Sequence, residues 1–149
     1  LTTIGCQNET FWSALDCTTT PPEPDKNPPT PDPMDWDYTV MDVNGYTVDG
    51  TPHEIYLGPN ELWDYAVTMR ADPNTVDPEG SGLEFYFQCT NKSGFDSGWL
   101  AFGGPPYIYT RIVGLHGQTL YFRVRARDRS PNHNQTEWSS EKLMYVPWP

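Results

Sequence analysis

The side chains with the clearest spacing for chemistry are three arginines on one alternating segment, Arg123, Arg125 and Arg127, followed by Trp138. Arginines two residues apart project from the same face of a strand. A guanidinium group stacks on an indole ring, and such a contact contributes about 0.5–1 kcal/mol at an exposed site. We therefore expect a structural ladder of stacked arginine and tryptophan side chains. A ligand or partner surface is the alternative.

The histidine, serine and carboxylate groups lack the spacing of a catalytic or metal site. His53, His116 and His133 lie far apart and form no His-x-x-x-His pair. No Gly-x-Ser-x-Gly sequence marks a nucleophile elbow, and the 20 acidic residues include no motif that singles out a glycosidase pair. We therefore expect a protein that is not an enzyme and that needs no cofactor.

One acidic loop has the ligand types that calcium prefers. Asp72, Asn74, Asp77 and Glu79 could supply hard oxygen ligands. The loop lacks the spacing and the central glycine of a helical calcium-binding loop. The sequence therefore favours an ordinary polar turn over a metal site at this position.

The three cysteines favour an oxidising compartment. Cys6 and Cys17 enclose ten intervening residues, and a disulfide between them would stabilise the segment by roughly 3 kcal/mol in the chain-entropy model. Cys89 lies in phase with apolar residues of an alternating segment, which predicts a buried free thiol. Three reduced cysteines are the alternative, but a disulfide at this spacing is typical of extracellular proteins.

Three asparagines are candidate glycosylation sites. Asn8, Asn91 and Asn134 each begin an Asn-x-Ser/Thr sequence, the acceptor for N-linked glycans. Asn91 and Asn134 fall in predicted turns, where a glycan could be carried. Because such short sequences often arise by chance, they identify candidates only.

Charge and composition narrow the classes of partner. The chain has 9 Lys and Arg against 20 Asp and Glu, a net charge of -11, which opposes binding to nucleic acid. It has no apolar run of about 18 residues, so we expect no membrane span. The 16 prolines and the low content of basic residues are typical of a secreted all-β protein. We therefore expect an extracellular or cell-surface location.

The composition changes twice along the chain. Residues 1–17 form a polar head that contains the probable disulfide loop, and residues 18–33 are rich in proline. Proline fixes φ and removes a hydrogen-bond donor, so this second segment should be an extended polyproline-II linker. Residues 34–149 alternate between apolar and polar side chains and form the folded domain.

The alternation predicts strands throughout the folded domain, and no window shows a sustained helical period. Asn44-Gly45 is a strong hairpin signal because both residues tolerate positive φ. About seven or eight strands are expected, most plausibly in a two-sheet sandwich. The alternating segments are 36–40, 65–71, 83–89, a short one at Trp99, 107–113, 119–127 and 138–146.

Residues 34–146 resemble a fibronectin type III domain. The motifs that carry the resemblance are a Trp-containing first strand, Leu83-Glu-Phe-Tyr-Phe-Gln-Cys-Thr90, Asp96-Ser-Gly-Trp99, Phe122-Arg-Val-Arg-Ala-Arg-Asp128, Ser130-Pro-Asn-His-Asn-Gln-Thr136 and Trp138-Ser139. The resemblance implies an immunoglobulin-like sandwich of the kind repeated in large secreted and cell-surface bacterial proteins. Leu120 stands where the family has a tyrosine, and residues 41–62 are longer than a simple connection, so an extra hairpin is expected.

The expected function is structural. Phe11, Trp12 and Leu15 are the apolar residues of the N-terminal head, and aromatic side chains often anchor interfaces. We expect these residues to join copies of the chain into a filament or surface assembly. The alternative is a carbohydrate-binding or spacer module of a secreted polysaccharide-degrading enzyme, with polysaccharide as the partner.

Overall fold

A computed structural model describes residues 25–43, 46–58 and 65–148. In these ranges the chain forms nine β-strands and no helix, and hence no helix there that could cross a membrane. The strands are β1 Met41–Val43, β2 Tyr46–Val48, β3 His53–Tyr56, β4 Tyr65–Ala71, β5 Leu83–Cys89, β6 Trp99–Phe102, β7 Tyr107–Val113, β8 Gln118–Asp128 and β9 Lys142–Val146.

The strands form two antiparallel sheets and a separate hairpin. The first sheet has the order β3-β4-β7, and the second has the order β6-β5-β8-β9. Buried side chains of both sheets make one core. The predicted β-sandwich is therefore confirmed, with nine strands among the described residues where seven or eight were expected.

β8 lies inside the second sheet, between β5 and β9, and supplies much of the core. Leu120, Phe122, Val124 and Ala126 are each 0% exposed, and β5 alternates in the same way. Burial of a large apolar side chain contributes about 1.5–3 kcal/mol. The period-2 pattern of this segment therefore identified both the strand and the face that it buries.

The predicted strand at 36–40 is wrong after its first residues. Trp36 is buried and makes an isolated bridge with Ala71, whereas Tyr38 and Val40 are 47% and 63% exposed. The chain leaves the sheet after Asp37, because the carbonyl of Asp37 does not accept a hydrogen bond from β4. The carbonyl of Asp37 accepts instead from the backbone N–H of Gly50 at 2.5 Å.

Gly50 therefore closes the neck of an insertion, residues 38–49. Its own carbonyl accepts from the N–H of Arg70 in β4 at 2.7 Å. A Cβ on Gly50 would lie 2.7 Å from both the Cβ and the carbonyl oxygen of Asp37, so only glycine fits. The insertion carries the hairpin β1–β2, with Val43 opposite Tyr46, which confirms the extra hairpin expected in this region.

The C-terminal part of the proline-rich segment packs on the sandwich. Thr30 and Val76 exchange two backbone hydrogen bonds of 2.8 and 3.0 Å, and Pro29 is buried. Asp32 accepts from the N–H of Glu137 at 2.7 Å. We call residues 25–33 the strap. The strap, which is the last part of the predicted extended linker, therefore lies on the sandwich, because the loops after β4 and β8 supply it with hydrogen-bond partners.

The strap and the last strand mark opposite ends of the sandwich. The N–H of Asp128, the last residue of β8, donates to the carbonyl of Asn134, whose side chain contacts the strap. Gln118, the first residue of β8, pairs with Val146 at the end of β9. The described chain therefore enters at one end of the sandwich and leaves at the other.

Candidate functional site

The arginine residues of β8 stack on two tryptophan rings. The guanidinium carbons of Arg123 and Arg125 lie 4.2 and 4.5 Å from the ring centroid of Trp138. Arg127 lies 4.2 Å from the centroid of Trp99. The expected ladder thus includes a second tryptophan, and Arg127 stacks on Trp99 and not on Trp138.

Neighbouring polar and aromatic side chains hold the ladder in place. The ring of Tyr86 on β5 meets the rings of Trp99 and Trp138 edge-on, with centroids 5.4 and 6.0 Å away. Arg123 donates to Gln88 at 2.7 Å. Arg127 forms an ion pair of 2.7 Å with Glu84. The arginine side chains of the ladder therefore contact aromatic rings and polar partners across the outer face of the second sheet.

In the segment that carries Trp138, side-chain hydroxyl groups accept the hydrogen bonds that backbone carbonyls accept in a regular strand. The N–H of Ala126 donates to the hydroxyl of Thr136 at 3.0 Å, and the N–H of Val124 donates to the hydroxyl of Ser139 at 2.9 Å. The carbonyl of Thr136 is engaged elsewhere, because Arg125 donates to it through two nitrogens at 3.1 and 3.0 Å. This exchange explains why β9 begins only at Lys142, later than the predicted 138.

Three carboxylates meet where the strap joins the sandwich. Asp25 in the strap, Asp77 in the loop before β5 and Asp128 at the end of β8 have oxygens that all lie within 4.8 Å of one another. Asp128 is 0% exposed. The main ion pairs seen among the described residues lie elsewhere in the sandwich. This acidic cluster therefore concentrates negative charge at the entry end of the domain.

Hydrogen bonds keep the buried member of the cluster ionised. Burial by itself raises the pKa of Asp128, but hydrogen bonds from Ser130 and Asn134 outweigh it and lower the pKa below the ordinary value. One carboxylate oxygen accepts from the hydroxyl and N–H of Ser130 at 2.6 and 3.1 Å. The other accepts from the side-chain amide of Asn134 at 2.7 Å. The carboxylate thus fixes the loop that follows β8.

Chemically, the acidic cluster offers hard oxygen donors from three separate segments. Calcium accepts carboxylate and carbonyl oxygens in flexible arrangements, so these donors are of the type it prefers. Protein groups also occupy these oxygens, since Asp77 accepts from the N–H and hydroxyl of Ser81, each at 2.5 Å. What the geometry establishes directly is a network that ties the strap to two loops.

The loop of Asp72 and Asp77 contains the ordinary polar turn that the sequence favoured, but Asp77 also meets residues that no local pattern indicates. Asp72 accepts from the N–H of Asn74 at 2.8 Å, as an ordinary turn does, and Glu79 accepts from Asn27 of the strap at 2.6 Å. The residues that join Asp77 are 52 and 51 positions away in the sequence. Only the pairing of Leu83 with Asp128 brings the start of β5 to the end of β8, and no local motif reveals it.

Both candidate glycosylation sites in the described ranges use their side-chain amides within the fold. Asn134 donates to the carbonyl of Asp25 at 3.0 Å and to Asp128 at 2.7 Å. Asn91 donates to the carbonyl of Thr119 at 2.9 Å and accepts from the N–H of Tyr121 at 3.0 Å. A glycan on Asn134 would replace a hydrogen that the strap uses. Asn8 lies outside the described residues.

The cysteine and arm residues divide between described and undescribed segments. Cys89 is a buried free thiol, as expected, and burial raises its pKa. Five further residues with expected roles lie outside the described residues: Cys6 and Cys17 of the disulfide loop, and Phe11, Trp12 and Leu15 of the self-association arm. Their roles stay predictions.

Comparisons with protein-family models, curated proteins and solved structures find no match to this chain. The resemblance to fibronectin type III domains therefore rests on the sequence motifs alone. Function has to be argued from the geometry of the ladder, the strap and the two ends of the sandwich.

Proposed function

We propose that the chain contains a non-catalytic spacer module of an extracellular or cell-surface protein. The observation that carries this proposal is the position of the two ends. The strap joins the sandwich beside Asp128, and the last strand ends beside Gln118, which are the two ends of one strand. A module with this geometry adds its own length to any chain that continues on both sides.

The added length follows from β8. This strand has 11 residues, and a strand rises about 3.3 Å per residue, so the entry and exit points lie on the order of 35 Å apart. β5 pairs with the part of β8 from Asp128 to Phe122, and β9 pairs with the part from Phe122 to Gln118, so β8 is supported along its whole length. Because an extended strand cannot shorten without losing its ladder of hydrogen bonds, the spacing should be stiff.

The outer face of the second sheet supports a structural role over a binding role. Proteins that bind sugars by stacking use aromatic rings with exposed faces. Here arginine side chains cover the rings of Trp99 and Trp138 at 4.2–4.5 Å. The three guanidinium groups also have protein partners. This removes the main aromatic platform that would favour the carbohydrate-binding alternative. Self-association through Phe11, Trp12 and Leu15 stays a prediction from the sequence.

The spacer proposal is tested by measuring shape. Two copies of the full chain joined in tandem should give small-angle X-ray scattering with a maximum dimension that exceeds that of one copy by at least the estimated spacing, about 35 Å. The single chain, measured over a concentration series, is the control, because self-association would increase its dimension with concentration.

A tandem no longer than a single copy would overturn the spacer proposal, since the two modules would then fold back on each other. Retention of the single chain on insoluble polysaccharide would favour the carbohydrate-binding alternative instead. A loss of that retention in Trp148→Ala, whose ring is 71% exposed, would locate the binding surface at the exit end.

A further inference from the structure

The strap is held at Asp25 by two side-chain amides from one loop. The carbonyl of Asp25 accepts from the side chain of Asn132 at 2.8 Å and from that of Asn134 at 3.0 Å. These asparagines belong to the loop after β8, and 107 and 109 positions separate them from Asp25. A backbone carbonyl that accepts two amide hydrogens is fixed in both position and direction.

The Asp25 carboxylate makes two longer contacts, since it accepts from Ser81 and from Asn134 at 3.3 Å. Asn27 donates to Glu79 at 2.6 Å on the exposed surface. The firm attachment of the strap then follows at buried Pro29 and at Thr30, which pairs with Val76 through two backbone hydrogen bonds. If the Asp25 carbonyl were released, only the longer carboxylate contacts and the surface contact of Asn27 would hold residues 25–28 among the described contacts.

We propose that Asn132 and Asn134 form a latch that fixes Asp25, and with it residues 25–28 of the strap, on the sandwich. Asn134 is the principal positioning residue because it also donates to Asp128, which is buried. The loops after β4 and β8 thus form a surface that fits one extended, proline-containing segment and holds its first carbonyl. This goes beyond the spacer role, which requires only that the two ends are far apart.

Electrostatic repulsion within the acidic cluster opposes closure of the latch. Docking of the strap brings the carboxylate of Asp25 within 4.8 Å of those of Asp77 and Asp128. Like charges at this distance repel, and salt weakens the repulsion between groups that reach solvent. The docked strap is therefore more populated at high ionic strength than at low ionic strength, and the asparagine variants show whether the latch is what holds it.

The latch can be tested in the full chain by nuclear magnetic resonance. In the wild type, the amides of Lys26 and Asn27 should have backbone order parameters of about 0.85, as in a rigid segment. In Asn134→Ala and in the double variant with Asn132→Ala they should fall below about 0.6, while the amide of Thr30 stays ordered. Hydrogen exchange at Asn27 should become at least about tenfold faster, as expected for the loss of two hydrogen bonds.

Two single variants separate the latch from the stability of the loop. Asn132→Ala alone removes the bond to Asp25 and leaves Asp128 untouched, so it reports on the latch even if Asn134→Ala destabilises the loop. Asn91→Ala removes a comparable pair of amide contacts at the exit end and should leave Lys26 and Asn27 ordered.

The salt readout is measured with the same amides. Raising sodium chloride should slow exchange at Asn27 in the wild type, and Asp25→Asn should abolish this dependence while keeping the strap docked. Disordered Lys26 and Asn27 amides in the wild type would overturn the latch. Unchanged order in the double variant, or exchange at Asn27 that does not respond to salt, would also overturn it.

Discussion

Thr136→Val should destabilise the sandwich more than its small change in shape suggests. Thr136 is 0% exposed, and its hydroxyl accepts the N–H of Ala126 at 3.0 Å. Valine has the same shape but no acceptor. The carbonyl of Thr136 cannot take over, because Arg125 already donates to it through two nitrogens. The N–H of Ala126 would be left without a partner inside the protein.

The expected loss follows from that unpaired donor. A buried N–H without a partner costs about 1–3 kcal/mol, which for a domain of this size lowers Tm by roughly 3–5 °C per kcal/mol. Urea unfolding followed by tryptophan fluorescence measures the free energy of unfolding. The control is Thr119→Val in β8, whose hydroxyl makes no hydrogen bond among the described residues. It should change stability by less than about 0.5 kcal/mol.

Equal stability of Thr136→Val and the wild type, at an unchanged m-value, would refute this reasoning. It would mean that water or a shifted carbonyl satisfies the N–H of Ala126. A loss of the same size in Thr119→Val would also contradict it, since the cost would then come from valine itself and not from the missing acceptor.

Three other changes probe the ladder, the neck and the buried carboxylate. Trp138→Leu removes two cation–π contacts and should cost about 1–2 kcal/mol in urea unfolding, whereas Trp99→Leu removes one and should cost about half as much. Gly50→Ala places a Cβ 2.7 Å from neighbouring backbone and should lower stability by about 1–3 kcal/mol, while Gly104→Ala, which meets nothing within 4 Å, should be nearly neutral in thermal unfolding. The pKa of Asp128 is lowered in the folded state, so its stabilisation is fully present above the unfolded pKa of about 3.9 and is lost as the pH falls through the folded pKa. Unfolding free energies from pH 2 to 6 should therefore fall more steeply toward acid in the wild type than in Asp128→Asn, and parallel curves would contradict the assignment.

The alternating strands were predictable because one physical rule decides them. Where one face is buried and the other is solvated, side chains must alternate with period 2, and β5 and β8 follow this rule along their length. The ladder was partly predictable for the same reason, since spacing fixed the face of the arginines. The partner of Arg127 was not predictable, because the register that brings Trp99 beside it is a property of the pairing of β5 with β6.

The strap and the interrupted first strand could not be read from local sequence. Prolines forbid helix and central strand but do not say whether a segment docks, and the docking of Asp25 depends on asparagines more than 100 positions away. The segment after Trp36 alternates correctly, yet the carbonyl of Gly50 takes the place that the carbonyl of Asp37 would have had opposite the N–H of Arg70, and His53 of β3 pairs with Thr68. Long-range competition for the same hydrogen bonds overrode the local pattern there.

The neck at Gly50 makes the insertion separable from the sandwich. Asp37 and Gly50 are directly hydrogen-bonded, so the 12 residues 38–49 begin and end at one point of the sheet. The entropic cost of closing such a loop rises only slowly as the loop becomes longer. Evolution can therefore lengthen, shorten or exchange this segment without rebuilding the core, and a foreign peptide could be grafted there for display.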